Sequence, residues 1–220
     1  MICAIKWLLQ AVDEAESIAA LKKIHHDSEQ LVVFFSRNGV RTNDLVQMIS
    51  LINDQITSQL IGLLKQGRFK DMGKKSAFMV LGSEGRREQT LKTDQDNAII
   101  IADDASTDDI ADIEAFSQVL IDALIEIGVP ECPGGIMARN EFWRRSLADW
   151  KSAIDSWVGS PSGKNILNFS MFSDMRTLCG DQSLETKPPC TESAWVWIGT
   201  ESPLKSKNHF NRHPRESGDP

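Results

Sequence analysis

Apolar residues recur at helical spacing through the first third of the chain. Leu8, Leu9, Val12, Ile18 and Leu21 make one stripe. Leu45, Met48, Ile49, Ile52, Ile56, Leu60, Ile61 and Leu64 make a longer one. One apolar side every three to four residues predicts helix, so residues 4–70 read as helical. Asn38-Gly39 is a strong break within them. Thr42 or Asn43 is the expected N-cap of the second long helix, with Asp44 favourable in its first turn. Residues 67–73 read as a linker.

Beyond it, short apolar runs alternate with helical patterns. Strands are expected at 77–81, 96–102 and 168–177. A helix is expected at 109–127, ended by Gly128 and Pro130. Another is expected at 141–158, capped by Asn140. Its Phe142, Trp143, Leu147, Trp150, Ile154 and Trp157 fall mainly on one side, and the tryptophans among them are expected in the core rather than in a ligand box. The fold class is therefore α+β. A helical lead-in segment spans 1–72, and a unit with a small mixed sheet and flanking helices spans 73–184. Residues 185–220 hold Pro188, Pro189, Pro203, Pro214 and Pro220 and no sustained period, so an irregular, disordered tail is expected there. Trp195 and Trp197 are unusual for such a tail. The closing FNRHPRESGDP looks like a translated dispersed bacterial repeat, which suggests a reading frame interrupted near residue 184.

Composition narrows the function classes. The 220 residues carry a formal charge of −7, which argues against a general nucleic-acid binder. A nucleotide substrate stays open, because bound cations supply positive charge locally. No apolar run approaches the roughly 20 residues of a membrane span. The start, MICAIKWLLQAVDEAES, is interrupted by Lys6 and lacks a cleavage site, so it does not read as a signal peptide. Cys3, Cys132, Cys179 and Cys190 form no C-x-x-C pair and read as reduced thiols. A cytoplasmic location is expected.

The candidate chemistry lies between residues 81 and 103. A strand runs into Gly82-Ser83, and Asp94 and Asp96 open the next strand. On a strand, two residues one apart point to the same face, roughly 6–7 Å apart along the backbone. Two such carboxylates suit hard divalent cations. A glycine-serine turn nearby offers backbone N–H groups to phosphate. An EF-hand is excluded, since its glycine and glutamate positions hold Ile99 and Ala105. No Gly-Lys-Ser/Thr follows Gly82 or Ser162, which excludes a P-loop, and the third glycine of a dinucleotide fingerprint is missing. Arg86 at the turn suits phosphate oxygens, with Glu88 orienting it. Asp174 reads equally as a further metal ligand or general base and as a strand-end ion pair with Arg176.

These residues resemble a known family. Gly82-Ser83-Glu84-Gly85-Arg86, Glu88-Gln89 and Thr93-Asp94-Gln95-Asp96-Asn97-Ala98 are similar to the putative nucleotidyltransferase family of bacterial signalling proteins. That family usually carries cyclic-nucleotide-binding and CBS modules upstream. It is similar in turn to the nucleotidyltransferase domain of protein-PII uridylyltransferase, in the DNA polymerase β superfamily. Cys132-Pro133-Gly134-Gly135, Met137, Asn140, Trp143, Trp150, Trp157 and residues 172–181 extend the resemblance, which covers roughly 10–184.

The resemblance implies a polymerase-β-like unit, with Gly82, Ser83 and Arg86 at a nucleoside triphosphate. It implies Asp94 and Asp96 as ligands of two magnesium ions, with Asp174 as the third carboxylate. It also implies in-line attack of a hydroxyl on the α-phosphorus and a uridylyl- or adenylyltransferase with a small regulatory protein as acceptor. No nucleic acid or membrane partner is expected. Position 87 departs, being Arg where the family commonly has Gly. The family's upstream sensor modules and following helical domain are not in this sequence. The rival readings are an inactive nucleotide-binding or interaction module, a truncated remnant of a larger signalling protein, and a small-molecule nucleotidyltransferase.

Overall fold

The computed structural model describes residues 2–91 and 93–186. The expectations for 187–220, including the repeat-like end, Cys190 and both tail tryptophans, lie outside the described residues. The lead-in forms three helices: α1 (Ile2–Asp13), α2 (Ile18–Arg37) and α3 (Thr42–Leu64). The Ser17 hydroxyl caps α2 by accepting from the Ala20 N–H. The expected break holds, with Gly39 at φ +77. The N-cap of α3 is Arg41 rather than Thr42 or Asn43, and no side chain caps it. The Arg41 guanidinium instead pairs with Asp44 at 2.8 Å, so the acid in the first turn takes over part of the cap's role.

Four strands form one sheet in the order β3-β2-β1-β4. They are β1 (Ser76–Val80), β2 (Asn97–Ile101), β3 (Arg144–Ser146) and β4 (Arg176–Gly180). Strand β1 is antiparallel to both β2 and β4, and β3 joins β2 in parallel. The two central strands are buried at every position. A one-turn α4 (Gly82–Gly85) follows β1 directly. Helix α5 (Thr107–Ile127) opens on a capping box of Ser106 and Asp109 and closes at Gly128.

Two expected elements come out differently. The expected helix at 141–158 is a 3-10 turn (Glu141–Trp143), then β3, then α6 (Leu147–Gly159) capped by the Ser146 hydroxyl. Asn140 does not cap it; its amide donates to the Gly135 carbonyl. The buried Arg144 guanidinium donates to the Ala138 and Arg139 carbonyls and draws the segment against β2. The expected strand at 168–177 is largely helix: α7 (Gly163–Ser173) ends at Asp174, and β4 begins at Arg176. Asn168, Phe169 and Phe172 share the buried side of α7. A further one-turn helix, α8 (Ser183–Thr186), closes the described chain.

Trp143, Trp150 and Trp157 are core, as expected. Trp150 is fully buried, and its indole N–H donates to the Ile99 carbonyl at 3.1 Å. Phe172 stacks on it with ring centroids 4.5 Å apart, which fastens α7 to α6 and β2. On the other side, α3 packs against α5 and the edge strand β4. A lead-in helix thus lies beside the end of β1, where the glycine turn begins. Among the described residues no helix is long and apolar enough to cross a membrane.

Candidate active site

Strand β1 ends at Leu81, whose N–H donates to the Asp96 carbonyl at 2.9 Å. This bond extends the β1–β2 ladder by one step and sets Asp96 beside the glycine turn. Gly82 sits at φ +48, in the left-handed region. A Cβ there would come 2.6 Å from Met171 Cε and 3.4 Å from Asp96 Oδ2. The backbone angle therefore favours glycine, while the closest approach is to the flexible end of Met171 and the carboxylate lies at contact distance. The Gly85 and Arg86 amides donate to the Leu81 and Gly82 carbonyls, and the Glu88 amide donates to Ser83.

Asp94 and Asp96 come together, as their spacing predicts, although both precede β2 rather than lying in it. The Cys132 thiol joins them: one ligand atom from each of the three lies within 4.8 Å of the others. The Cys132 loop is fastened to β2 at three points. Gln95 N–H donates to the Pro130 carbonyl, Asn97 N–H to the Ile136 carbonyl, and the buried Asn97 side chain accepts from Ala138 N–H.

Burial raises the Asp96 carboxyl above its ordinary value, the neighbouring Cys132 thiol offsets part of this, and the charge of Asp94 adds to it. Asp96 Oδ1 is buried with no hydrogen-bond partner among the described residues. Such an atom costs roughly 1–3 kcal/mol unless something compensates it. A cation would do so, and the two carboxylates suit a hard one. The thiol does not suit magnesium. Burial, with the Asp96 carboxylate adding, pushes it up to about 11, so it stays protonated at neutral pH.

The other expected residues are placed as follows. Arg86 lies just past the turn, its Nε donating to Glu88 at 2.8 Å and its Nη1 donating to Asp174. Asp174 terminates α7 and pairs with Arg86 instead of Arg176, and it is not part of the Asp94–Asp96–Cys132 cluster. Arg176 turns away to Asp54 on α3, at 2.9 Å.

The chain's residues 26–164 match the model of the family described as putative nucleotidyltransferase DUF294, which is more than half of its length. The chain belongs to the DUF294 family. No curated protein matches it. The DUF294 span takes in α3, the glycine turn, both aspartates and the Cys132 loop, and it ends before Asp174. Arg87 is at φ +58 and is the one non-glycine residue with positive φ among the described residues. An L-residue there costs on the order of 1 kcal/mol.

Sequence reasoning missed three residues of this DUF294 site. Cys132 was visible only as a cysteine ahead of Pro133-Gly134-Gly135. Asp54 lies outside the apolar stripe of α3 and carries no motif of its own. Glu84 looked like a turn carboxylate, yet it is buried and lines a small cavity with Asn53, Thr57, Gln89, Gln95 and Asn97. Burial chiefly, then the charge of Asp54, pushes its carboxyl up from 4.5 to about 8, although Arg176 pulls it down.

This shift fixes the sign of a pH effect. Between those two values the folded protein keeps the Glu84 proton while the unfolded chain has lost it. The Glu84 contribution to stability then falls as pH rises, by up to roughly 1.4 kcal/mol per unit. Glu84→Gln is expected to flatten that decline in urea unfolding measured across the window. A variant whose slope equals that of the wild type would contradict the assignment.

Proposed function

We propose that this DUF294 chain is a magnesium-dependent nucleotidyltransferase that moves a uridylyl or adenylyl group onto a small regulatory protein in signal transduction. The observation that carries the reading is the partnerless, buried Asp96 Oδ1 held next to Asp94 at a glycine turn. The family supports nucleotidyl transfer in general. The protein acceptor and the choice of base rest on the likeness to protein-PII uridylyltransferase.

Asp94 and Asp96 would hold the magnesium, through carboxylate oxygens. Bound there, magnesium neutralises the triphosphate and the charge that develops on the attacking and leaving oxygens. The chain's own part is positioning. Gly82 lets the backbone approach the phosphates closely, and the amides of Gly82 and Ser83 face them as donors. Arg86 exchanges a carboxylate for phosphate oxygens, a swap its planar fork allows. The acceptor hydroxyl oxygen then forms a bond to the α-phosphorus as the bond to the bridging oxygen breaks, and pyrophosphate leaves. Asp174, released when Arg86 turns to phosphate, is the carboxylate available for the hydroxyl proton. Little covalent work falls to the protein, so placement and charge supply most of the rate.

The test is a screen of the four nucleoside triphosphates with magnesium, read first as a rise in melting temperature and then as transfer of label to protein. One nucleotide should stabilise the wild type and not Asp94→Ala, because a ligand that binds only the folded state adds stability by mass action. Stabilisation without transfer would favour a binding module. Equal stabilisation of wild type and Asp94→Ala would sink the assignment.

A further inference from the structure

Helix α4 is a single turn, and its N-cap Leu81 offers no side-chain cap. A helix of one turn has no stability of its own, so its shape must be imposed from outside. The glycine turn is held from α3. Ser50, Asn53 and Asp54 lie at i, i+3 and i+4, on one side of that helix. Each reaches the segment that carries the turn. The Ser50 hydroxyl accepts from the Gln89 N–H at 3.3 Å, and the Asn53 amide donates to the Gln89 side chain at 3.3 Å.

Asp54 acts through an arginine. Its Oδ1 accepts from Arg176 Nη2 at 2.9 Å, and the same Nη2 donates to the Glu84 carbonyl at 3.2 Å. Arg176 Nε donates to the Gly85 carbonyl at 3.4 Å. These are the last carbonyls of the turn; the Glu84 carbonyl also accepts from the Arg87 N–H at 3.1 Å, so Arg176 adds a second donor there and ties both carbonyls to one guanidinium. The pair is sheltered, with Asp54 and Arg176 side chains only 14% and 20% exposed. Asp54 Oδ2 also lies 3.8 Å from Arg87, the residue with positive φ that follows the turn. One carboxylate on α3 therefore fixes two arginines that bracket the turn.

We propose that Asp54 and Arg176 are positioning residues that hold the Gly82–Gly85 turn in its phosphate-receiving shape and couple it to the placement of α3. This rests on the nucleotidyltransferase reading. A carboxylate at 54 orients the guanidinium, the guanidinium fixes the Glu84 and Gly85 carbonyls, and the amides at the start of the turn are aimed as a result. A shift of α3 relative to β4 would then be felt at the triphosphate.

The test compares Asp54→Ala, Arg176→Ala and the double variant by hydrogen exchange and by binding of inorganic tripolyphosphate with magnesium. Exchange over residues 82–89 is expected to rise about tenfold in each variant while β1 and β2 keep their protection, and binding should weaken about tenfold. The double variant should lose little more than either single one, since the two act as a unit. Unchanged exchange at 82–89 overturns the brace whatever the protein binds. A uniform rise that includes β1 and β2 also overturns it, because it reports general destabilisation. A wild type that does not bind tripolyphosphate overturns the nucleotidyltransferase reading and the positioning role together, and a local exchange rise in that case shows that the brace itself was read correctly.

Discussion

Asp96→Asn is expected to reduce the proposed magnesium-dependent nucleotidyl transfer by about a thousandfold, the scale seen when a group that stabilises transition-state charge is lost. The same change should make the metal-free protein somewhat more stable at neutral pH, because it removes the buried charge. Both effects have one origin. The Asp96 carboxyl is raised by burial and by Asp94, and its Oδ1 has no hydrogen-bond partner. Removing an uncompensated buried acid relieves the folded state, while the function proposed for it disappears. The pair of measurements is a denaturant melt without metal and a labelled-nucleotide transfer assay with it. A destabilised variant that kept its transfer activity would show Asp96 to be structural. Magnesium should also raise the melting temperature of the wild type and not of the variant.

Gly85→Ala is expected to be the most damaging single methyl group near the site. A Cβ at Gly85 would fall inside the Asp174 backbone carbonyl and 3.1 Å from the Val80 carbonyl oxygen. Neither is the flexible end of a side chain, so β1 or the end of α7 must move. Overpacking against backbone on two sides costs about 3 kcal/mol, the upper end of its usual range. Because Asp174 ends α7 and Gly85 ends the turn, the displacement also breaks the Arg86–Asp174 contact and opens the turn. The expected result is a lower urea midpoint together with loss of nucleotide binding. At Gly82 a Cβ meets first the terminal methyl of Met171, which can swing aside. Gly82→Ala should therefore cost less stability than Gly85→Ala, and a reversed order would refute this account of the turn.

The legible part of the site was the part carried by local spacing. Two aspartates one residue apart, following a strand that ends in Gly-Ser, were enough to place Asp94 and Asp96 near the turn. The helical character of the lead-in and its break at Asn38-Gly39 were legible because the apolar stripes are long, whereas the break between α1 and α2 was not, since the Leu8–Leu21 stripe runs across it. The region at 168–177 misled because Phe169, Met171 and Ser173 alternate as a strand would. The helix wins there because the Ser162 hydroxyl caps it at Asn165 and because Phe172 packs on Trp150. Strand β3 was illegible for the opposite reason. Three residues carry no period, and it exists because Arg144 is anchored by carbonyls from the preceding loop.

The sequence by itself determined the α+β class, the family-like turn and the aspartate pair, since each depends on residues close together in the chain. Only the tertiary structure decided which groups those residues meet. Cys132 joins the two aspartates because its loop is tied to β2 by Asn97 and Ala138. Asp174 goes to Arg86 because it ends a helix rather than continuing a strand, and Arg176 goes to Asp54 because it opens β4 against α3. Pairings of this kind are set by packing between elements distant in sequence, and no local pattern of hydrophobic and polar residues encodes them.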